Sequence, residues 1–300
     1  MIIGKIHIFL FLITLVTTFL AGFLQGGSII GGVSFSVALL FILGSHEMGH
    51  YLYGRKHGVD ISPPYFIPAP PLISPIGTFG AFIKIRSPIS TRRALFDIGV
   101  AGPLAGVVAS IPVIIIGLKL SKVVETPSKD GFQGIALGSP LIFSALSELC
   151  FGKIPQGQDI ILHPVAFAGW IGLFVTALNL IPAGQLDGGH IIYALFSRKW
   201  YSRTSVFMIF MLLFLGVGTR PIVNLLGFVL NKPPFSSYRE LLVFDGWFGW
   251  IMWAVILSLI STKHPPTLND EIPLDWRRKL VGIVALAVFI GCFTPVPIKI

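Results

Sequence analysis

The sequence predicts an all-α polytopic membrane protein with about seven transmembrane helices and a re-entrant β-hairpin between the second and the third. Of the 300 residues, 54% are hydrophobic and only 12% are charged, whereas soluble domains carry about a quarter charged residues. Several apolar runs approach or exceed the roughly 20 residues that a helix needs to cross a bilayer. A proline-rich stretch followed by alternating residues interrupts these runs, and it is typical of a strand.

Seven apolar segments are the predicted spans, and they form one integral membrane domain over residues 1–300. A core of about 29–197 is expected, with peripheral spans at 6–24 and within 204–293. The first segment is longer than the apolar region of a signal peptide, so a retained span is predicted. An apolar patch at 221–230 is too short to cross and is expected to be re-entrant or interfacial. The predicted spans are 6–24, 29–53, 98–118, 163–181, 204–218, 244–261 and 279–293.

The net charge of +9 comes from basic residues beside the apolar spans, so it does not indicate nucleic-acid binding. Lysine and arginine in short loops bias those loops toward the cytosol. With a cytosolic amino terminus and seven crossings, most of the 22 basic residues fall on the cytosolic side. The sequence therefore predicts a protein of the cell (plasma or inner) membrane, in contact with lipid. Cys150 and Cys292 are too few for a disulfide framework and are predicted to be packing residues.

The candidate hairpin lies at residues 60–88, between the second and third predicted spans. Its first half is rich in proline, which excludes a helix. Residues 77–86 then alternate between two faces with the period of a strand. A strand at membrane depth must lie in a cavity, because its backbone needs protein or water as hydrogen-bond partners. A surface hairpin in the cytosol is the alternative.

The clearest chemical signal is the sequence His-Glu-Met-Gly-His at residues 46–50, near the end of the second span. His46 and His50 are four residues apart, so on a helix they share one face and can bind a single ion. Glu47 follows the first histidine and can accept a proton from water that the metal activates. Three ionisable groups in a lipid-embedded helix are costly to keep for packing alone. The pattern predicts one Zn2+ per chain, with Glu47 as the catalytic base.

The third ligand is predicted in residues 179–190, where the fourth span ends. A catalytic zinc takes three protein ligands and keeps one position open. Pro182 and Gly184 break the helix here, and broken backbone at membrane depth lines a cavity. Asp187 is therefore the predicted third ligand, on an irregular segment. Helical rise puts Asp187 and the two histidines at a similar depth in the cytosolic leaflet.

Two other residues remain candidates for the third ligand. Asp97 opens the third predicted span and is also a suitable helix-start carboxylate. His190 can assist or replace Asp187, because imidazole suits zinc. Asn179 is a candidate donor to the developing oxyanion, and a hydrogen bond between two helices is its alternative role.

Together these features resemble the site-2 protease family of intramembrane zinc metalloproteases, in the branch that lacks PDZ domains and includes chloroplast members. The third span opens with Ala-Gly-Pro-Leu-Ala-Gly, as in that family, and a His-Pro-Pro-Thr tract is similar to one in that branch. The resemblance implies that His46, His50 and Asp187 bind zinc and that Glu47 is the base. The matching segments are 46–50, 77–88, 101–106, 179–190 and, more weakly, 264–267.

The resemblance implies a three-helix core and an endopeptidase that hydrolyses peptide bonds of membrane-protein substrates, as in regulated intramembrane proteolysis. A transporter is disfavoured, because its site would lie near the midplane and the ionisable groups here lie in one leaflet. A catalytically silent relative conflicts with the intact Glu47. A prenyl-protein type of membrane protease would carry a glutamate as third ligand. The expected partners are transmembrane protein substrates and lipid; neither nucleic acid nor a soluble partner is identified.

Overall fold

The computed structural model describes residues 4–125, 135–196, 198–221, 223, 244–259 and 267–299. The chain is mainly helical, with short strands between the helices. The helices are α1 Lys5–Gly26, α2 Ile29–Lys56, α3 Arg92–Leu120, α4 Leu141–Phe151, α5 Pro164–Leu180, α6 Asp187–Leu195, α7 Arg198–Val217, α8 Phe248–Leu259 and α9 Trp276–Cys292. The strands are β1 Tyr65–Pro68, β2 Thr78–Phe82, β3 Lys122–Glu125, β4 Ala136–Leu137, β5 Gln158–Ile161 and β6 Ile298–Lys299.

Four helices, α1, α2, α3 and α7, are long and apolar enough to cross a membrane, among the described residues. The chain is therefore an integral membrane protein. A helix also lies at each of the other three predicted spans, but α5, α8 and α9 are shorter. Seven crossings thus remain a prediction. The apolar patch at 221–230 lies almost wholly outside the described residues.

Helices α2, α3 and α5 pack tightly around the centre, because glycines remove side chains at their contacts. A Cβ on Gly49 of α2 would lie 2.5 Å from the carbonyl oxygen of Ala101 in α3. A Cβ on Gly117 of α3 would lie 2.1 Å from the backbone nitrogen of Ala166 in α5. Real Cβ atoms do not approach so closely, so only glycine permits these helix spacings. The close packing matches the small-residue interfaces of helices in membranes.

Helix α3 begins at Arg92, not near residue 98 as the apolar pattern predicts. The hydroxyl of Thr91 accepts a hydrogen bond from the backbone of Ala94 at 3.2 Å and so caps the helix. The helix therefore includes polar residues that a hydropathy pattern leaves out. Asp97 lies in its second turn and does not open it, which corrects the prediction of a helix-start carboxylate.

The connection between α3 and α5, described at residues 121–125 and 135–163, contains regular secondary structure. It contains α4, which packs against α3 and α9. Strands β3 and β5 pair antiparallel within it, and β4 pairs with β6 near the carboxyl end of the chain. The segment is thus a small structured cap at the end of α3 opposite Arg92.

Cys150 and Cys292 are free thiols, and Cys292 is fully buried in the main apolar core.

A hairpin does lie between α2 and α3, formed by the antiparallel strands β1 and β2. The strand predicted over 77–86 is shorter in the structure and ends at Phe82. Beyond it the Ser62 hydroxyl accepts a hydrogen bond from the backbone of Lys84 at 2.8 Å. Ile85 makes only an isolated bridge to Ile61. A side chain thus replaces one step of the backbone ladder and interrupts the strand.

The hairpin lies along α1 and contacts it at three levels. Near the start of α1, the ring of His7 stacks on Tyr65 of β1, with centroids 4.1 Å apart. Near the middle, the backbone of Thr17 lies against Gly77, where a Cβ would be 2.3 Å from the Thr17 carbonyl oxygen. Near the end, the amide of Gln25 donates to the carbonyl of Pro75 at 2.8 Å.

Candidate metal centre

His46 and His50 lie on one face of α2, in agreement with their spacing. Both side chains are buried, with 4% and 6% of the residue surface exposed. Their Nε2 atoms are 3.1 Å apart. The two atoms that can bind a metal therefore point to the same place inside the helix bundle.

The ring of His50 is held by α3. Its Nδ1 lies 2.7 Å from the carbonyl oxygen of Ile98. A carbonyl only accepts hydrogen bonds, so this contact assigns a proton to Nδ1 and leaves Nε2 as the nitrogen that can bind a metal. A backbone or carboxylate partner of this kind is usual for metal-binding histidines, because it fixes the tautomer and the ring orientation. The ring also rests on Gly102, where a Cβ would lie 2.1 Å from Nε2.

Asp187 joins the two histidines from the other side of the core. Its Oδ2 lies 3.3 Å from Nε2 of His46 and 3.3 Å from Nε2 of His50. It is the first residue of α6, which corrects the prediction that it lies on the irregular segment. That segment ends just before it: Gly184 has a left-handed φ of 60°, and the helix begins once the chain has turned back toward α3.

Two neighbours fix the turn that precedes Asp187. The hydroxyl of Tyr201 in α7 donates to the carbonyl oxygen of Gly184 at 2.6 Å. Gly188 lies so close to the end of α5 that a Cβ would be 2.1 Å from the carbonyl oxygen of Leu180. Tight backbone contact and a buried hydroxyl therefore hold the first turn of α6 beside α5 and α7.

The geometry of these donors fits zinc. Around a tetrahedral ion with ligand distances of roughly 2.0–2.2 Å, donor atoms lie about 3.3–3.6 Å apart. The three donor pairs here are separated by 3.1, 3.3 and 3.3 Å, at or slightly below the short end of this range. Two imidazoles and a carboxylate form a set that suits catalytic zinc and leaves the fourth position open. Among the described residues, His46, His50 and Asp187 form the one cluster of this kind.

Glu47 is buried beside this cluster, with 7% of its surface exposed. It is not one of the three clustered ligands. The backbone N–H of Ile83, one residue beyond β2, interacts with its carboxylate. Glu47 therefore lies between the metal-binding group and the hairpin, where a base for water would be needed.

Asn179 reaches the cluster from the last turn of α5. Its amide nitrogen lies 3.3 Å from Nε2 of His46. The same position suits a donor to a developing oxyanion and a simple contact between helices. The role of Asn179 stays a prediction.

The two alternative third ligands lie elsewhere. Asp97 accepts a hydrogen bond at 2.6 Å from the guanidinium of Arg278 in α9 and lies 2.8 Å from Nε2 of His57. It serves an ion cluster that joins the ends of three helices. His190 follows Asp187 by one turn of α6, and its Cβ lies against Gly99 of α3. Neither residue belongs to the group of clustered donors.

Sequence patterns indicate only some of the residues that support the ligands. Ile98 acts through its backbone, which any residue can supply. Gly102 is part of the small-residue run at 101–106, and that run could have indicated a close helix contact. Arg92 donates to the carbonyl oxygens of Ala194 and Phe196 at 2.6 and 3.0 Å and so caps the end of α6. In the sequence, Arg92 is one of several basic residues beside an apolar span, and these indicate only the orientation of the chain in the membrane.

Comparison with known proteins extends this picture. Residues 34–217 match the model of peptidase family M50. The probable zinc metalloprotease EGY1, chloroplastic, of Oryza sativa subsp. japonica is 31% identical over 262 residues, which are 84% of this chain and 38% of that protein. The corresponding EGY1 protein of Arabidopsis thaliana is 31% identical over 261 residues, or 83% of this chain and 40% of the relative.

A third relative, the probable zinc metalloprotease EGY2, chloroplastic, of Oryza sativa subsp. indica, is 33% identical over 220 residues, or 70% of this chain and 38% of its own length. The chain thus spans about two fifths of the length of these curated relatives. No solved structure matches it. The family match covers more than half of the chain, and it confirms the predicted resemblance and zinc as the metal. The chain belongs to peptidase family M50, the site-2 protease family of zinc metalloproteases.

Proposed function

We propose that this chain is a zinc-dependent endopeptidase that hydrolyses peptide bonds of membrane-protein substrates within or close to the bilayer. One observation carries the proposal: His46 and His50, both buried, and the partly buried Asp187 form a group with the donor spacing of zinc inside a bundle of apolar helices. Ionisable groups at such depth are expensive, so a functional site is the expected reason for them. Glu47 completes the constellation that hydrolysis requires.

The residues divide the chemistry between them. When bound, zinc supplies Lewis acidity that activates water and polarises a substrate carbonyl. Glu47 takes the proton that water loses and then gives it to the leaving amine, which is general base followed by general acid catalysis. Ile98 and Gly102 keep the ring of His50 in position. The amide of Asn179 is the proposed donor to the oxyanion.

The hairpin is the proposed docking element for the substrate. Its contacts with α1 run from His7 to Gln25, and a helix rises about 27 Å over that length. This is close to the ~30 Å hydrocarbon thickness of a bilayer, so it supports a re-entrant hairpin over a surface one. Among the described residues β2 pairs with β1 alone. An unwound substrate could pair with the free edge of β2, beside Glu47.

The proposed location is the cell membrane, with the zinc site in the cytosolic leaflet. The support is the bias of basic residues toward the face where α2 ends and α3 begins. The relatives are chloroplastic by name, so labelling must test the orientation. In a Cys150→Ser background, an impermeant thiol reagent should reach Lys56→Cys from the cytosolic side and Lys153→Cys from the opposite side. Labelling of both from one side would refute seven crossings with this orientation.

The decisive test of the function uses the purified chain in detergent or liposomes with a panel of single-span reporters. The unmodified protein should release cut fragments, and Glu47→Gln should slow cleavage by roughly 10²–10⁴-fold, the usual contribution of a proton-transfer group. Bound zinc should stay near one ion per chain, because Glu47 handles protons and not metal. Cleavage by Glu47→Gln at the normal rate would show that Glu47 is not the catalytic base.

A further inference from the structure

Helix α1 contributes no residue to the metal-binding group, yet it makes extensive contact with the hairpin. The contacts near residues 7, 17 and 25 are of different kinds: an aromatic stack, a backbone-to-backbone approach and a hydrogen bond. A helix that served only to contact lipid would have no need of them. Their spacing along α1 fixes both the height and the tilt of the hairpin.

The contact near the start of α1 is connected to the metal centre through neighbouring side chains. The ring of His7 stacks on Tyr65 of β1, and Tyr65 in turn stacks on Phe82 of β2 with centroids 5.3 Å apart. Phe82 precedes Ile83, whose backbone N–H interacts with the Glu47 carboxylate. A continuous row of contacts therefore joins α1 to the proposed catalytic base.

The middle contact is the least tolerant of change. Gly77 has a left-handed φ of 76°, and a Cβ there would lie 2.3 Å from the carbonyl oxygen of Thr17 and 2.7 Å from the Cα of Thr18. Both atoms belong to the backbone of α1, which cannot move aside as a flexible side chain can. Gly77 thus allows the backbone of the hairpin to contact the backbone of α1 directly.

We infer that α1 is the positioning element of the protease: it holds β2 at the height where Ile83 meets Glu47 and where a substrate strand can pair. This inference rests on the proposed function for its catalytic consequence, but the docking itself is a structural property. Gly77 and His7 are positioning residues, since neither contacts the reacting atoms.

The experiment compares Gly77→Ala with Gly58→Ala. Gly58 also has a left-handed φ, of 69°, but a Cβ there meets nothing within 4 Å. The two variants therefore share backbone strain, and only the first collides with α1. Docking is measured as the yield of a short bismaleimide crosslink between Gln25→Cys and Pro75→Cys in a Cys150→Ser background, together with bound zinc and the kcat and KM for a cleaved reporter.

Gly77→Ala should lower the crosslink yield severalfold and reduce kcat/KM by at least about tenfold, since small misplacements of a reacting group are costly. Its zinc content should stay unchanged, and Gly58→Ala should match the unmodified protein within about threefold. Equal crosslink yields in the two variants would overturn the inference. If the unmodified protein cut no reporter, the proposed function would fall, and the crosslink would still decide whether α1 holds the hairpin.

His7 gives a second test that avoids backbone strain. Its side chain is buried, with 8% exposed, and neither ring nitrogen has a hydrogen-bond partner within the described ranges. The stack on Tyr65 is then a contact that another aromatic ring can make, so His7→Phe should retain crosslinking and cleavage while His7→Ala should lose much of both. Exposed Ile8→Ala on the same turn is the control. Loss in His7→Phe equal to that in His7→Ala would contradict a stacking role.

Discussion

Helices α2 and α6 supply the metal-binding residues in opposite ways. Helix α2 is 28 residues long, and its two histidines converge because the helical period sets them on one face. Helix α6 is nine residues long, and it begins at its ligand. The position of Asp187 depends on where a broken segment of chain ends, and no local period determines that.

The supports of the two helices differ accordingly. Helix α2 needs space, which Gly102 and Gly49 provide where it crosses α3. Helix α6 needs anchors at both ends: Tyr201 holds the turn before it, and Arg92 and Asp270 hold its other end. The histidines of the regular helix α2 therefore depend mainly on the space that glycines of α3 leave, together with one hydrogen bond from His50 to Ile98. Asp187, at a helix start, depends mainly on hydrogen bonds that hold both ends of α6, together with the close approach of Gly188 to α5.

The largest expected effect tests whether α6 truly supplies the third ligand. Asp187→Ala should lose bound zinc as fully as His46→Ala does, since either change leaves two protein ligands where a catalytic site has three. Asp97→Asn and His190→Ala should keep zinc, because neither residue belongs to the cluster. Zinc is measured by elemental analysis of the purified variants. Stoichiometric zinc in Asp187→Ala would show that α6 does not supply the third ligand and would favour Asp97 or His190 instead.

The difference between α2 and α6 also explains how much the sequence could predict. The apolar runs located seven of the nine described helices but neither α4 nor α6, and the four-residue spacing located His46 and His50. The start of α3 at Arg92 was missed, because helices extend into the polar interface where hydropathy gives no signal. The end of β2 was missed, because it depends on the hydroxyl of Ser62, far away in the sequence.

The supports of the site were beyond sequence-based prediction for a related reason. Which residue of α3 passes beside His50 depends on the crossing of two helices, and this decides that Ile98 and Gly102 are the contacts. Asp187 was predicted as a ligand, but its place at the first position of α6 depends on the turn that Tyr201 stabilises. The periodicity of a sequence predicts which residues share a face of one helix or strand. The contacts of His50 and the start of α6 depend instead on how separate helices pack against each other.

A smaller effect is expected when the glycines of α3 that face the two histidines of α2 are replaced by alanine. In Gly102→Ala the new methyl group would lie 2.1 Å from Nε2 of His50, so the ring must shift. Gly106→Ala on the same helix brings a Cβ to 3.1 Å from the ring of His46, which needs only a slight adjustment. Both changes favour the helix intrinsically by about 1 kcal/mol, so they form a matched pair.

Zinc affinity, measured by competition with a chelator, should distinguish these two variants. We expect Gly102→Ala to weaken binding by roughly 10–100-fold, the cost of disturbing the orientation of a ligand. Gly106→Ala should stay within about threefold of the unmodified chain. Equal affinities in the two variants would mean that the room for His50 does not come from Gly102.

The smallest effect concerns the anchor at the far end of α6. The hydroxyl of Tyr193 donates to Asp270 at 2.6 Å, and Thr267 donates to the same carboxylate at 2.6 Å. Partial burial opposes ionisation of Asp270, but these hydrogen bonds and the nearby charge of Arg92 outweigh it and lower its pKa. A lowered pKa in the folded state means that ionised Asp270 stabilises the fold above the unfolded pKa of about 3.9.

That stabilisation should therefore be present at pH 6 and disappear as the pH falls through 3.9 and on toward the lowered value. Because the carboxylate is largely exposed, the contribution is expected to be below about 1 kcal/mol after solvent screening. The measurement is the difference in thermal unfolding temperature between the unmodified chain and Asp270→Asn, followed from pH 6 to pH 3. Tyr193→Phe is a second variant, which removes one of the hydrogen-bond donors to Asp270. Other carboxylates titrate in both proteins, so the difference isolates Asp270. A difference that stays constant over this range would show that charge on Asp270 does not anchor α6.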